Sequence, residues 1–228
     1  MKILLYGGTF DPPHNGHLNN LRAAVRRVQP DKVIVMPAGV PPHKHASTTP
    51  GILRIEMCRC FEALAEENAA LELEVSSWEV EQAAAGKRNY TVLTLEWLAE
   101  RFPEEQLYLT VGSDMLMTFD EWYRWADILR LAHLVVVSRN VGDDPALHAK
   151  AKQLDPEGGR ILFAPVEAMP MASSSLRQRL AAGDGCENEL PANVRAVIAR
   201  EGLYRNQGDE ESNEVERGKR ACTGSSER

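Results

Sequence analysis

The sequence predicts a doubly wound α/β fold, a mostly parallel, Rossmann-like sheet with helices on both faces. Three observations carry that prediction. Short apolar runs alternate with longer amphipathic stretches along the chain. The first run, Ile3-Leu4-Leu5-Tyr6, opens directly into a glycine turn. Apart from Tyr90-Thr91, each polar cluster of interest follows a strand or opens a helix, and in doubly wound sheets that edge is where ligands bind.

The elements follow in order. Residues 3–6 read as a buried strand, 17–28 as an amphipathic helix and 32–36 as a second strand, which makes a βα repeat. After Thr49-Pro50-Gly51 the pattern predicts a helix over 52–68, then a strand over 71–76 with Leu71, Leu73 and Val75 on one face. Residues 91–102 read as helix and 106–111 as a strand that ends at Gly112-Ser113-Asp114. A helix over 122–131, strands over 134–138 and 161–163, and helices over 173–182 and 191–201 complete the series.

A chain of 228 residues with 43% hydrophobic content can bury one substantial core, and residues 1–205 are expected to form one domain. Residues 206–228 carry six acids against four bases, with Val215, Ala221 and Cys222 as their apolar residues. That is too little apolar surface to offset ordering entropy, so a disordered polar tail is expected. A net charge of −7 argues against a nucleic-acid partner, which needs a dense Lys/Arg surface. No apolar run of about 18 residues occurs and the first strand begins within two residues of Met1, so neither a membrane span nor a signal peptide is expected and the cytoplasm is the predicted location. Cys58, Cys60, Cys186 and Cys222 show no CxxC spacing, and Cys58 and Cys60 diverge on a helix, which favours free thiols in a reducing compartment. A homo-oligomer is compatible with the sequence.

The chemistry concentrates after the first strand, in Gly7-Gly8-Thr9-Phe10-Asp11-Pro12-Pro13-His14-Asn15-Gly16-His17. Two glycines permit a sharp turn and close ligand approach, and Pro12-Pro13 holds off helix, so the next helix should start near Asn15 or Gly16. Its free N–H groups and positive dipole end, with two imidazoles beside them, suit anionic oxygens. Helix capping or packing is the competing role for His14 and His17. The segment lacks the GK[ST] ending of a P-loop and the three-glycine spacing of a dinucleotide fold, so neither NTP hydrolysis nor hydride transfer is implied, and nucleotidyl transfer remains. His14, His17, His43 and His45 also contain HxxH and HxH spacings, but the proline-rich backbone, the absence of HExxH and the lack of a nearby cysteine argue against zinc. Further along, Pro41-Pro42-His43-Lys44 projects a cation from the loop after the second strand. Ser173-Ser174-Ser175-Leu176-Arg177 opens a helix with capping hydroxyls and places a guanidinium fork one turn in. Trp122, Tyr123 and Trp125 lie so close together that at least one should be core.

The first corner resembles the GGTFDPxHxGH motif of the nucleotidyltransferase superfamily, whose members attack the α-phosphate of an NTP and release pyrophosphate. Five further stretches resemble bacterial nicotinate-nucleotide adenylyltransferases: Pro41-Pro42-His43-Lys44; Asn89-Tyr90-Thr91; Gly112-Ser113-Asp114 followed by Trp122; Met169-Pro170 before the serine run; and Leu190-Pro191 to Leu203-Tyr204. They stand in the expected order across residues 1–205. The resemblance implies a catalytic domain that joins ATP to nicotinate mononucleotide, giving deamido-NAD and pyrophosphate in NAD biosynthesis. It implies that His14, His17, Lys44 and Arg177 act on the phosphates. Gly7, Gly8, Thr9, Phe10, Gly16, Gly112, Asp114, Ser173 and Ser174 would bind ATP, and Tyr90, Thr91 and Trp122 the nicotinate ring and its carboxylate. ATP implies Mg²⁺, held mainly by phosphate oxygens and water, with no protein metal site; Asp11 and Asp114 are candidate outer-sphere contacts, or in the case of Asp114 a ribose contact. Two positions depart from the family pattern, Leu93 in place of an aspartate and Ala172 in place of the first serine. Neither removes a charge-bearing catalytic group. The competing readings are a phosphopantetheine adenylyltransferase, whose family shares the serine motif but usually has threonine where His14 stands, and a catalytically silent nucleotide-binding module, which intact His14, His17, Lys44 and Arg177 argue against.

Overall fold

The computed structural model describes residues 1–40, 49–138, 145–167 and 169–205, so Lys44, His43, His45 and the tail from 206 lie outside the described residues. Strand β1 (Lys2–Gly8) leads into helix α1 (Asn15–Val28) and strand β2 (Lys32–Pro37). Helices α2 (Gly51–Cys58) and α3 (Ala63–Glu67) flank a tight 3₁₀ turn, Arg59–Glu62, before strand β3 (Glu72–Val75). Helices α4 (Trp78–Ala84) and α5 (Thr91–Arg101) precede strand β4 (Gln106–Gly112). Helices α6 (Ser113–Met117) and α7 (Trp125–Leu131) lead to strand β5 (Ala132–Ser138), and helix α8 (Pro145–Leu154) to strand β6 (Ile161–Pro165). Helices α9 (Ser173–Ala181) and α10 (Ala192–Glu201) close the chain's described part.

The six strands form one sheet, every pair parallel, in the order β3-β2-β1-β4-β5-β6. Strand alternation sends Leu4, Tyr6, Val33 and Val35 into a core shared with α1, α2 and α10, and Ile3, Leu5, Ile34 and Met36 into an opposite core shared with α5 and α7. The fold is therefore doubly wound, and its strand order reverses between β1 and β4, the crevice where such sheets bind ligands. Pairing of β1 with β4 runs as far as Leu5 opposite Leu109; beyond it the Thr110 hydroxyl donates to the Leu5 carbonyl at 2.9 Å, and the two strand tips part.

Three departures from the periodicity have local causes. The helix expected over 52–68 breaks because its buried residues recur every third position, Met57-Cys58 then Cys60-Phe61 then Leu64, which suits a 3₁₀ turn better than a 3.6-residue helix. The helix expected from 122 starts at Trp125, because Arg124 takes a left-handed conformation (φ 53°) and Trp122 is extended. Helix α4 buries no residue completely and so leaves no apolar stripe in the sequence to announce it.

Candidate active site

Strand β1 ends in the glycine turn at the mouth of the crevice. A Cβ on Gly8 would stand 2.8 Å from the ring of Phe10, whereas a Cβ on Gly7 would meet nothing within 4 Å, so Gly7 faces open space and Gly8 makes room for the ring. Phe10 holds a left-handed backbone conformation (φ 48°) and is buried, its ring edge-on to His17 and Phe61 at 5.2 and 5.3 Å. Strain of this kind persists only where the surroundings hold it, and here they do.

Four side chains strap the loop from three directions. The buried guanidinium of Arg54, on α2, donates from Nη1 to the carbonyls of Thr9 (2.9 Å) and Ala38 (2.8 Å), tying the loop after β1 to the loop after β2. Burial lowers the pKa of Arg54, with the charge of Asp11 as the largest opposing influence. From α9, Arg177 Nη1 donates to the Asp11 carbonyl at 2.7 Å and Ser173 Oγ to the Pro12 carbonyl at 2.9 Å. From beyond α10, the Tyr204 hydroxyl donates to Asp11 Oδ1 at 2.6 Å. Ser173 was expected as a cap; α9 has no side-chain cap hydrogen bond, its N-cap position being Ala172, and the Ser173 hydroxyl holds the loop instead.

Helix α1 starts at Asn15, with His14 as N-cap. His17 donates its backbone N–H to His14 Nδ1 (3.3 Å), and His14 donates its backbone N–H to His17 Nδ1 (3.2 Å), a reciprocal capping box built from imidazoles. Burial, then the neighbouring His14, push the pKa of His17 down to about 3, so its ring is neutral near pH 7. Gly16 lies so close that an added Cβ would approach both His14 Nδ1 and Met171 Cγ at 3.0 Å.

The crevice opens as a cleft of ≈ 510 Å³. It brings together Gly7, Gly8, Thr9, Phe10, His17, Tyr90, Thr91, Gly112 and Trp122 from the expected set. His14, Gly16, Ser173, Ser174 and Arg177 are not among the residues that line this cleft, and Asp114 is exposed, its carboxylate folded back over Gly112. Tyr90, which no strand precedes, proves to be the N-cap residue of α5. Its ring tilts against Tyr123 at 4.6 Å, while Trp122 packs on the buried Phe119 at 5.2 Å. Leu93 is partly exposed on the outer side of α5 and does not line the cleft, so its departure from the family pattern leaves the wall untouched.

Sequence reasoning missed Arg54 and Glu79. Arg54 had a signal: it interrupts the buried stripe Arg54-Met57-Cys58 of α2, where an apolar residue would be expected. Glu79 had none, since α4 lacks a buried stripe. Its carboxyl lines the cleft, accepts from Thr94 Oγ1 at 2.7 Å and from the Gly39 N–H at 3.3 Å, and has its pKa raised by burial against those two bonds and the charge of Arg54. Among the described residues no three of His, Cys, Asp and Glu converge as a metal site, and no helix is long and apolar enough to cross a membrane.

Comparison with known proteins places this geometry in context. The cytidylyltransferase-like family profile matches residues 5–179. A probable nicotinate-nucleotide adenylyltransferase of Clostridium tetani is 31% identical over 206 residues, covering 90% of this chain and 99% of the relative. The nicotinate-nucleotide adenylyltransferase of Bacillus subtilis is 30% identical over 204 residues, covering 89% and 98%. In fold, the chain is similar to a nicotinic acid mononucleotide adenylyltransferase of Plasmodium falciparum solved in complex with NaAD, with a TM-score of 0.65 at 15% identity, covering 89% of this chain and 97% of that one.

Proposed function

From the premise that this chain belongs to the cytidylyltransferase-like family and, within it, to the nicotinate-nucleotide adenylyltransferases, we propose that the β1/β4 cleft is where its reaction occurs and that His17 is the donor to the reacting phosphate. The chain transfers the adenylyl group of ATP to nicotinate mononucleotide, giving nicotinate adenine dinucleotide and pyrophosphate in NAD biosynthesis.

A phosphate oxygen of the mononucleotide attacks the α-phosphorus of ATP, the bond from that phosphorus to the α–β bridging oxygen breaks, and pyrophosphate leaves with the electron pair. The attacking phosphate is already anionic, so no side-chain nucleophile or base is required; the protein supplies alignment and electrostatic stabilisation. Because His17 Nδ1 accepts a backbone N–H, the neutral ring carries its proton on Nε2, and that N–H donates to the α-phosphate as negative charge grows there. Gly7 leaves the backbone bare for the phosphates, and Gly8 lines the cleft beside it with the Phe10 ring packed against its Cα. Tyr90, Thr91 and Trp122 take the pyridine ring across the cleft. Arg177 keeps one guanidinium nitrogen on the Asp11 carbonyl and turns its remaining donors, with Lys44, to the β- and γ-phosphates. Mg²⁺ bound to the triphosphate would neutralise part of its charge, and no protein side chain is needed to hold it. The free thiols of Cys58, Cys60 and Cys186 support the cytoplasm as the site of the reaction. Residues 1–205 form the catalytic domain, and 206–228 a tail outside it.

The observation that carries this reading is that one cleft joins a phosphate-type glycine turn, with a neutral histidine at its rim, to an aromatic wall suited to a flat ring. Pyrophosphate release is to be measured with ATP and each of three acceptors. Nicotinate mononucleotide should support turnover, while phosphopantetheine and glycerol phosphate should scarcely do so; equal or better turnover with phosphopantetheine would overturn the acceptor assignment.

A further inference from the structure

Arg54 stands in the buried stripe of α2, where the helix calls for an apolar residue, and is only 4% exposed. A buried guanidinium is a poor source of stability, because lost hydration is repaid only by well-placed partners. Its hydrogen bonds run to three backbone carbonyls: Thr9 and Ala38 from Nη1 at 2.9 and 2.8 Å, and Thr49 from Nε at 3.4 Å. The bond to Thr9 bears on the cleft. Arg177, Ser173 and Tyr204 hold the same loop at Asp11 and Pro12 and leave the Thr9–Phe10 peptide to Arg54.

That peptide is trans, so its N–H points opposite its C=O. Arg54 draws the C=O to the nitrogen that also holds Ala38, on the β2 side of β1. The Gly8 carbonyl faces the same way and accepts the Ala38 N–H at 2.8 Å. The Phe10 N–H is therefore turned away from β2, toward the gap where β4 parts from β1, and among the described residues it donates to no acceptor. Thr9 and Phe10 both line the cleft there. This orientation needs a restraint. A half-turn of the peptide plane changes ψ of Thr9 and φ of Phe10 together, and would carry Phe10 from its left-handed conformation (φ 48°) into the extended region that a bulky residue prefers. It would also turn the Thr9 carbonyl oxygen toward the anions that the cleft receives. We propose that Arg54 is a positioning residue of the reaction: it holds the Thr9–Phe10 peptide against this turn and so keeps the Phe10 N–H in the cleft as a donor to the bound triphosphate. The inference rests on the reading of this cleft as the site where ATP reacts.

The chain has five phenylalanines, so protein labelled with ¹⁵N-phenylalanine gives few amide signals, and the Phe10 signal is the one absent from Phe10→Tyr. On addition of ATP without an acceptor, the wild-type Phe10 signal should move downfield as its N–H bonds a phosphate oxygen. Arg54→Met keeps the volume and removes the donors. In that variant the movement should shrink to about half or less, and the Kd for ATP should rise at least about tenfold, the effect of losing one hydrogen bond to a charged group. Arg54→Lys keeps the charge and a donor for one carbonyl and should fall between, so a poorly folded methionine variant does not end the test. A role in stability alone would lower the Tm of a folded variant while its Phe10 movement and ATP Kd, read well below unfolding, stay within about twofold of wild type, and that result overturns the proposal. A wild-type Phe10 signal that saturating ATP leaves in place overturns it as well. Wild-type protein that binds ATP but releases no pyrophosphate with nicotinate mononucleotide would refute the proposed reaction itself, an outcome distinct from either.

Discussion

The imidazole rings of His14 and His17 stack with their centroids 3.7 Å apart, and each Nδ1 accepts the backbone N–H of the other residue. Capping and phosphate binding are often rival explanations for a histidine at a helix start. Here one nitrogen serves the cap and so assigns the proton to the other, and the cap becomes the device that aims a donor from the cleft-lining His17.

Protonation of His17 should therefore work against the fold. An unfolded chain takes up this proton near pH 6.5, the ordinary value, but the folded ring only near pH 3. Between those values the unfolded state holds the extra proton, so stability is full above about pH 6.5 and falls as the pH drops. Denaturant unfolding should show wild type losing up to about 1.4 kcal/mol per pH unit more than His17→Asn across that window. Parallel curves for the two proteins would contradict the assignment.

Tyr204 ties the chain beyond α10 to the buried Asp11 carboxylate through a 2.6 Å hydrogen bond. Tyr204→Phe should cost about 1.5–3 kcal/mol, the range for hydrogen bonds to charged groups, measured by equilibrium unfolding. Turnover should fall as well, because Asp11 belongs to the loop that Arg177 and Ser173 also hold.

Two glycines separate space for a ligand from space for packing. Gly7→Ala should fold with an unchanged Tm yet lose at least about tenfold in kcat/KM for ATP, since its Cβ enters open cleft that a phosphate needs. Gly39→Ala should lower the Tm by several degrees, because the backbone carbonyl of Glu79 stands where its Cβ must go. Calorimetry and steady-state kinetics on both variants check the contrast.

Where residues interact with neighbours in sequence, the chain announces them. Pro12-Pro13 placed the start of α1 at Asn15, and the apolar runs of β1, β2, β4 and β5 located the sheet and with it the crevice. What stayed hidden depends on contacts distant in sequence. Arg54 reaches across to Thr9 and Ala38 and shows in the sequence only as a break in the buried stripe of α2, while Glu79 meets Gly39 some forty positions away and leaves no periodic trace. Arg177 was legible as an arginine one turn into α9, but not its bond to the Asp11 carbonyl 166 positions earlier. Trp122, expected inside a helix, stands clear of one because Arg124 turns left-handed beside it.

If His17 acts on charge that develops only during reaction, steady-state kinetics of His17→Ala will show it. With folding verified by circular dichroism, kcat should fall roughly 10² to 10³-fold while the KM for ATP changes little, as expected on losing one donor to a transition-state oxyanion. Arg177→Ala provides the contrast: the triphosphate is charged before reaction, so that variant should raise the KM for ATP and lower kcat together. A His17→Ala enzyme with near-normal kcat and reduced stability would contradict the account, leaving the ring as a cap and nothing more.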